Sequence, residues 1–157
     1  MKNNKGLTLL ELIIAIAIVF ILVAIAVPAY IGQQKRAART EAFTNLEALR
    51  LLEEQSFSEN ARYTASLGVA GDTTAIRDAN LVAIQTTAGE ALPGFRPGTA
   101  TNYSYRTIQN NQLNTPVTNP PAWAASTACF VAVATGVTGT RVAGDVFAID
   151  CNNNKNF

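Results

Sequence analysis

One carboxylate lies near the start of a long apolar stretch of the chain. After Glu11, the next charged residue is Lys35. An ionisable side chain inside a membrane-spanning segment costs a few kcal/mol on insertion scales, so it indicates a functional role. Such a carboxylate needs a positive partner, and Lys5 is too distant in the sequence to be an obvious local one. The partner could come from another copy of the chain.

Other reactive side chains are few. The chain has no histidine, which removes the commonest general base and the commonest metal ligand and makes an enzyme less expected. Its only cysteines are Cys129 and Cys151. They could be two unrelated buried thiols, but an export-type N-terminus and adjacent strand-like segments favour one disulfide in an oxidising compartment.

The remaining candidate sites are weak. Asp72, Asp145 and Asp150 could be calcium ligands, but no dense loop of Asp, Asn and Gly surrounds them. Residues 102–104 form a lone glycosylation sequon, and Trp123 fits a packing or surface role. We predict no catalytic site, no metal and no cofactor. A net charge of +1 gives no evident attraction to nucleic acid.

The apolar stretch itself has three interpretations. Residues 12–31 are uncharged and mainly apolar, and about 20 such residues can cross a bilayer as a helix. A cleaved signal peptide fits the basic start and the small-x-small pattern of Ala24, Ile25 and Ala26, but the apolar region is long for that role. A plain membrane anchor fits the length but gives no reason for Glu11. The third interpretation takes Glu11 as the functional signal.

The stretch KGLTLLE at residues 5–11 resembles the processing site of type IV pilins and type II secretion pseudopilins. The resemblance implies that a prepilin peptidase cuts between Gly6 and Leu7 and methylates the new amine of Leu7. It also implies that Glu11 pairs with the N-terminal amine of a neighbouring subunit during assembly. Because a mismatched buried charge is costly, this pair would fix the axial register of each incoming subunit.

The resemblance extends beyond the processing site. Pro28 and Tyr30 fall where the family often has proline and tyrosine, and Pro28 should bend or locally open the helix. Phe20 departs from the glycine of many members, and Leu7 from the commonest phenylalanine. Phe20 should favour continuous helix on its side of Pro28.

A second helical pattern follows the apolar stretch. An apolar stripe recurs at spacings of three and four residues at Ala38, Ala42, Leu46, Leu49 and Leu52. Arg50 lies at pairing distance along a helix from both Glu47 and Glu54. A basic block and an acidic block could also meet between staggered subunits; they are Lys35, Arg36, Arg39 and Glu53, Glu54, Glu59.

The sequence of the C-terminal part of the chain predicts a small sheet. We predict strands at residues 81–86, 103–108, 129–134 and 146–151, the last two paired antiparallel because their link is short. The helical stripe is the available partner for the apolar face of the sheet. The expected fold is therefore α+β, a long N-terminal helix packed on a small antiparallel sheet as in pilins.

The resemblance divides the chain into four parts. They are a leader at 1–6, a transmembrane and polymerisation half of the helix at 7–30, an amphipathic half at 31–58 and a globular head at 59–157. A disulfide in the head would close a loop of about 20 residues, worth roughly 3 kcal/mol. In pilins such a bond often pins the region exposed on the filament surface.

The function implied is that of a structural subunit of a homo-oligomeric type IV pilus-like filament supporting adhesion, twitching motility or DNA uptake. Pilus assembly machinery would take it from the bacterial inner membrane into an extracellular pilus. A type II secretion pseudopilin would share every N-terminal feature, and the expected disulfide favours a pilin. A membrane-anchored enzyme or binding module predicts instead no cleavage after Gly6 and a pocket with converging polar groups.

Overall fold

The computed structural model describes residues 8–98, 101–109 and 129–157 of the chain. The processing residues Gly6 and Leu7, and Trp123, lie outside these ranges. The chain divides into two compact units, residues 1–37 and residues 38–157. Each unit is described by itself below.

The first unit contains the start of helix α1, which runs Leu9–Asn60. Its large apolar side chains up to Ile31 are between 48% and 77% exposed. By length and composition, α1 could cross a membrane. The helix continues through Pro28, so the expected local opening of the helix is not seen. Proline removes one backbone hydrogen bond there, and the flanking turns remain helical.

The second unit buries the predicted stripe of α1. Ala42, Leu46 and Leu49 are fully buried in the main core, with Ala38 and Leu52 packed partly against them. The same core contains side chains from one face of the sheet, including Tyr105 and Phe130. The predicted packing of the stripe on the sheet is confirmed.

The sheet has three strands in the order β1-β2-β3, and both neighbouring pairs are antiparallel. Its strands are β1 Tyr103–Gln109, β2 Phe130–Gly136 and β3 Val146–Asp150. The strands predicted for these segments are confirmed with end shifts of one or two residues. The α+β class predicted from the sequence is confirmed as well.

The strand predicted at residues 81–86 is wrong, because these residues end helix α2, which runs Thr74–Thr86. Thr73 caps this helix, since its hydroxyl accepts a hydrogen bond from the Ile76 backbone N–H at 3.3 Å. Asn80 and Ile84, one turn apart, are its buried residues. The apolar run at 81–86 is therefore the end of an amphipathic helix whose start carries a Thr cap.

The predicted Cys129–Cys151 disulfide is present, with an S–S distance of 2.01 Å and a Cα–Cα distance of 5.5 Å. It joins the residue before β2 to the residue after β3. The two strands are thus linked covalently where their hydrogen-bonded ladder ends.

Candidate assembly site

The first turn of α1 carries a helix cap that includes the position of Glu11. The Thr8 hydroxyl accepts a hydrogen bond from the Glu11 backbone N–H at 3.2 Å, and the Thr8 carbonyl accepts one from the Leu12 N–H at 3.2 Å. The spacing T-x-x-E is that of a capping box. The cap formed by Thr8 was missed in the sequence, although the spacing alone could have shown it. Glu11 also lies where the helix dipole favours a negative charge.

The Glu11 side chain is exposed at this helix end. Its neighbours Leu9, Leu10 and Leu12 are 77%, 67% and 56% exposed. Within the described ranges, no cationic side chain forms an ion pair with Glu11. An apolar surface with one carboxylate in its first turn is suited to a partner that brings both apolar side chains and a cation.

The other predicted assembly residues lie further along the same exposed surface. Tyr30 is 64% exposed, and Pro28 lies inside the helix two residues before it. The structure places them in the same unit as Glu11, on different turns of one helix. In hydrocarbon or in a filament core, neighbouring molecules must cover this surface.

The three aspartates considered as calcium ligands have partners within the second unit. Asp145 forms a bidentate ion pair with Arg39, with Nε–Oδ2 and Nη2–Oδ1 distances of 2.8 Å and 2.9 Å. Asp72 accepts a hydrogen bond from the Thr138 hydroxyl, and Asp150 accepts bonds from the turn that follows it. Across the described ranges, no cluster of three or more metal-binding side chains occurs.

The pairing of the basic and acidic blocks between subunits stays a prediction, and two members of these blocks already have partners within the second unit. Arg39 binds Asp145, as above, and Glu54 accepts a hydrogen bond from the Tyr63 hydroxyl at 3.3 Å. The predicted Glu47–Arg50 pair is confirmed at 3.3 Å. These charges therefore have partners within one chain.

Glu53 is the most unexpected member of the acidic block, because it is fully buried. Its carboxylate accepts hydrogen bonds from the Thr64 backbone N–H at 3.0 Å and from the Thr64 hydroxyl at 2.5 Å. Burial raises the pKa of Glu53, while the bonds from Thr64 act to lower it. The sequence did contain a signal: residue 53 continues the spacing of the stripe after Leu46 and Leu49.

This buried carboxyl should make the stability of the second unit depend on pH. Because the pKa of Glu53 is higher in the folded state, the wild type should lose stability as the pH rises above about 4.3, the ordinary value. Glu53→Gln removes that titration and keeps a group that can bond Thr64. We therefore expect urea unfolding to show that the free energy of unfolding of Glu53→Gln rises relative to that of the wild type as the pH increases from 4 to 7.

The matched control is Glu59→Gln, which changes an exposed glutamate of the same helix. The free energy of unfolding of this control should change with pH in the same way as that of the wild type. If the free energies of unfolding of Glu53→Gln and the wild type differ by the same amount at every pH, the raised pKa of Glu53 in the folded state is contradicted.

A cleft of about 230 Å³ lies between the end of α1 and the turn at 91–94. It is lined by Leu52, Gln55, Ser56, Glu59, Asn60, Ala91, Leu92, Pro93 and Gly94. Among the described residues that line the cleft, Glu59 is the titratable one, and its carboxylate accepts a hydrogen bond from the Gln55 carboxamide at 2.8 Å.

Comparison with known proteins concerns the N-terminal region above all. A family model described as the prokaryotic N-terminal methylation motif matches residues 1–27. This range includes the predicted processing site and Glu11. No solved structure matches the chain.

Several curated proteins are similar over a longer stretch. The type IV major pilin protein PilA of Myxococcus xanthus is 49% identical over 62 residues, which are 40% of this chain and 28% of that protein. A fimbrial protein of Pseudomonas aeruginosa is 39% identical over 66 residues, 42% of this chain and 43% of the relative. The type IV wide pilus major component PilA4 of Thermus thermophilus is 38% identical over 66 residues, 42% of this chain and 50% of the relative.

These matches span half or less of each relative. They nevertheless agree with the resemblance found in residues 5–11. Residues 1–27 thus match the N-terminal methylation motif, and about 40% of the chain is similar to parts of type IV major pilin and fimbrial proteins.

Proposed function

We propose that the chain is a structural subunit of a type IV pilus-like filament, assembled through the first half of α1. The observation that carries the proposal is the exposed apolar surface from Leu9 to Ile31 with Glu11 in its first turn. Relatives whose names identify them as major pilin or fimbrial proteins support it. We assign the chain no catalytic role.

Assembly begins with processing between Gly6 and Leu7 by a prepilin peptidase, which also methylates the amine of Leu7. The new ammonium group then lies one residue before Thr8, the cap of α1. Its charge lies beside the positive end of the helix dipole, which is unfavourable for a cation. A carboxylate from the neighbouring subunit offsets both this repulsion and the loss of water on burial.

Two environments cover the same apolar surface in turn. Before assembly, the hydrocarbon of the bacterial inner membrane covers the first half of α1. After assembly by the pilus machinery, neighbouring copies cover it in an extracellular filament. The transfer therefore exposes little apolar surface to water, and a buried pair of Glu11 with an amine specifies the register.

A type II secretion pseudopilin remains the second candidate, since the N-terminal features serve both. The Cys129–Cys151 disulfide favours a pilin, because it secures the two C-terminal strands of the head against mechanical and chemical stress outside the cell. Adhesion, twitching motility and DNA uptake are the roles we assign to such a filament, according to the machine that extends it.

Mass spectrometry of protein purified from the membrane tests processing. We expect a mature chain that begins at N-methylated Leu7. A Gly6→Leu variant should keep its full mass, because it replaces the glycine after which the proposed cleavage occurs. The matched control is Gly32→Ala, which changes a helical glycine with no atom within 4 Å and should be processed like the wild type.

Two outcomes would defeat the proposal of a processed subunit. One is an intact Met1 in the wild type. The other is a chain that starts near Val27 or Tyr30, which would indicate cleavage of an ordinary signal peptide.

A further inference from the structure

Strand β3 lies at the edge of the sheet, and some of its backbone N–H and carbonyl groups form no hydrogen bonds with β2. These groups belong to Val146, Ala148 and Asp150 and point away from β2. An uncovered row of this kind pairs readily with a strand of another molecule. Whatever covers the edge of β3 therefore decides whether two copies can join there.

The C-terminal tail, residues 152–157, covers this edge by hydrogen bonds. The Asp150 N–H donates to the Asn154 carbonyl at 3.1 Å, and the Asn153 N–H donates to the Asp150 carbonyl at 3.0 Å. The Asn156 N–H donates to the Ala148 carbonyl at 3.4 Å.

The Asn156 carboxamide extends the pairing where the backbone of the tail does not reach. Its Oδ1 atom accepts from the Ala148 N–H at 2.8 Å, and its Nδ2 atom donates to the Val146 carbonyl at 3.2 Å. The side chain thus bonds like one more peptide group of an added strand. Asn156 alone satisfies three backbone groups of the β3 edge.

A turn built on Asp150 directs the tail back along β3. Its buried carboxylate accepts from the Asn152 N–H at 2.9 Å and from the Asn154 N–H at 2.8 Å. The Asn154 carboxamide donates to the second oxygen at 2.8 Å. Asn153 adopts a positive φ of 62°, a conformation that asparagine tolerates better than most residues.

The end of the tail is attached to α1 within the same unit. The Phe157 ring stacks on Phe43, with ring centroids 4.3 Å apart and planes 5° from parallel. The Lys155 ammonium pairs with Glu47. Phe43 and Glu47 are one helical turn apart, so one face of α1 supplies both attachments.

From these contacts we infer that residues 152–157 guard the edge of β3 against pairing with β3 of a second copy of the chain. Two β3 edges can pair antiparallel about a two-fold axis, which would join two sheets into one. At the opposite edge of the sheet, β1 already pairs with another part of the chain, because Leu67 and Thr107 exchange two backbone hydrogen bonds of 3.0 Å and 2.9 Å. The inference concerns the head and is independent of the proposed function.

The test uses the full chain in detergent micelles and the variant Asn156→Pro. Proline removes the carboxamide and the backbone N–H together, so three bonds to β3 are lost. We expect a dimer that forms with increasing protein concentration, measured by light scattering after size-exclusion chromatography. In the diluted monomer, the Ala148 amide should exchange its hydrogen about tenfold faster or more than in the wild type.

The control is Asn152→Ala, which changes an exposed asparagine of the same tail and leaves all three bonds of Asn156 in place. It should stay monomeric, like the wild type, at the concentrations where Asn156→Pro pairs. The inference is overturned if Asn156→Pro stays monomeric throughout, or if the control pairs equally well. It is also overturned if Asn156→Pro pairs while the Ala148 amide of its diluted monomer exchanges at the wild-type rate.

Discussion

Cells that produce Glu11→Gln are expected to process the chain and keep it in the membrane but to make almost no filaments. The substitution preserves size and removes the charge, so the ammonium group of the neighbouring subunit would be buried without a counter-charge. Breaking a buried pair costs about 3–5 kcal/mol, which weakens each subunit addition by roughly a hundredfold or more. Filament mass per cell, compared with the amount of processed chain in the membrane, measures the effect.

The same variant separates the assembly role of Glu11 from its position in the capping box. A capping box accepts either glutamate or glutamine, so the cap alone predicts that Glu11→Gln assembles normally. Thr8→Ala is the complementary control, because it removes the hydroxyl that accepts from the Glu11 N–H and keeps the carboxylate. We expect it to weaken the helix end by about 1 kcal/mol and still form filaments. Normal filaments from Glu11→Gln would leave Glu11 with a purely local role.

The second large effect is expected in the head, where Gly136→Ala should severely destabilise the fold. A Cβ atom at this position would lie 1.9 Å from the Val142 carbonyl oxygen and 2.8 Å from its carbon. Backbone cannot move aside as a flexible side chain can, so the turn between β2 and β3 must shift. That shift would disturb the Gly136 N–H bond to the Asp145 carbonyl, which is 2.8 Å long. We expect a loss of about 3 kcal/mol or more in the free energy of unfolding.

Gly139→Ala provides the matched control in the same turn. No atom lies within 4 Å of the added methyl group, but the residue has a positive φ of 85°. We expect only the strain of a left-handed alanine, roughly 1–2 kcal/mol. Urea unfolding of the two variants in detergent would measure the difference. Equal losses of unfolding free energy in the two variants would show that the close approach of the Val142 carbonyl is not what excludes a side chain at Gly136.

The features that could be predicted from the sequence depend on residues close together in the chain, or, for the disulfide, on there being one possible pairing of two cysteines. The motif that we propose as the processing site lies with Glu11 within seven consecutive residues, so this pattern is visible without a structure, and the processing itself stays a prediction. The disulfide pairs the two cysteines that the chain contains. The stripe through Leu46 and Leu49 repeats with the period of a helix, which predicted the buried face that the structure shows.

The features that were missed depend on contacts across the fold. Residues 81–86 were interpreted without the cap at Thr73, and a short apolar run alone does not separate a strand from the end of a helix. Glu53 was assigned to an acidic block, because its charge was given more weight than its place in the stripe. The tail has a polar composition typical of a loop, and only the edge of β3 gives its amide groups a function.

The central claim is that a carboxylate in the first turn of α1 meets the processed end of the next subunit. A cryo-electron microscopy structure of the native filament tests this claim most directly, because both groups can be located. We predict that a Glu11 oxygen lies within about 4 Å of the Leu7 nitrogen of a neighbouring subunit. A filament in which Glu11 faces only lipid, solvent or apolar side chains, with no amine beside it, would contradict the account.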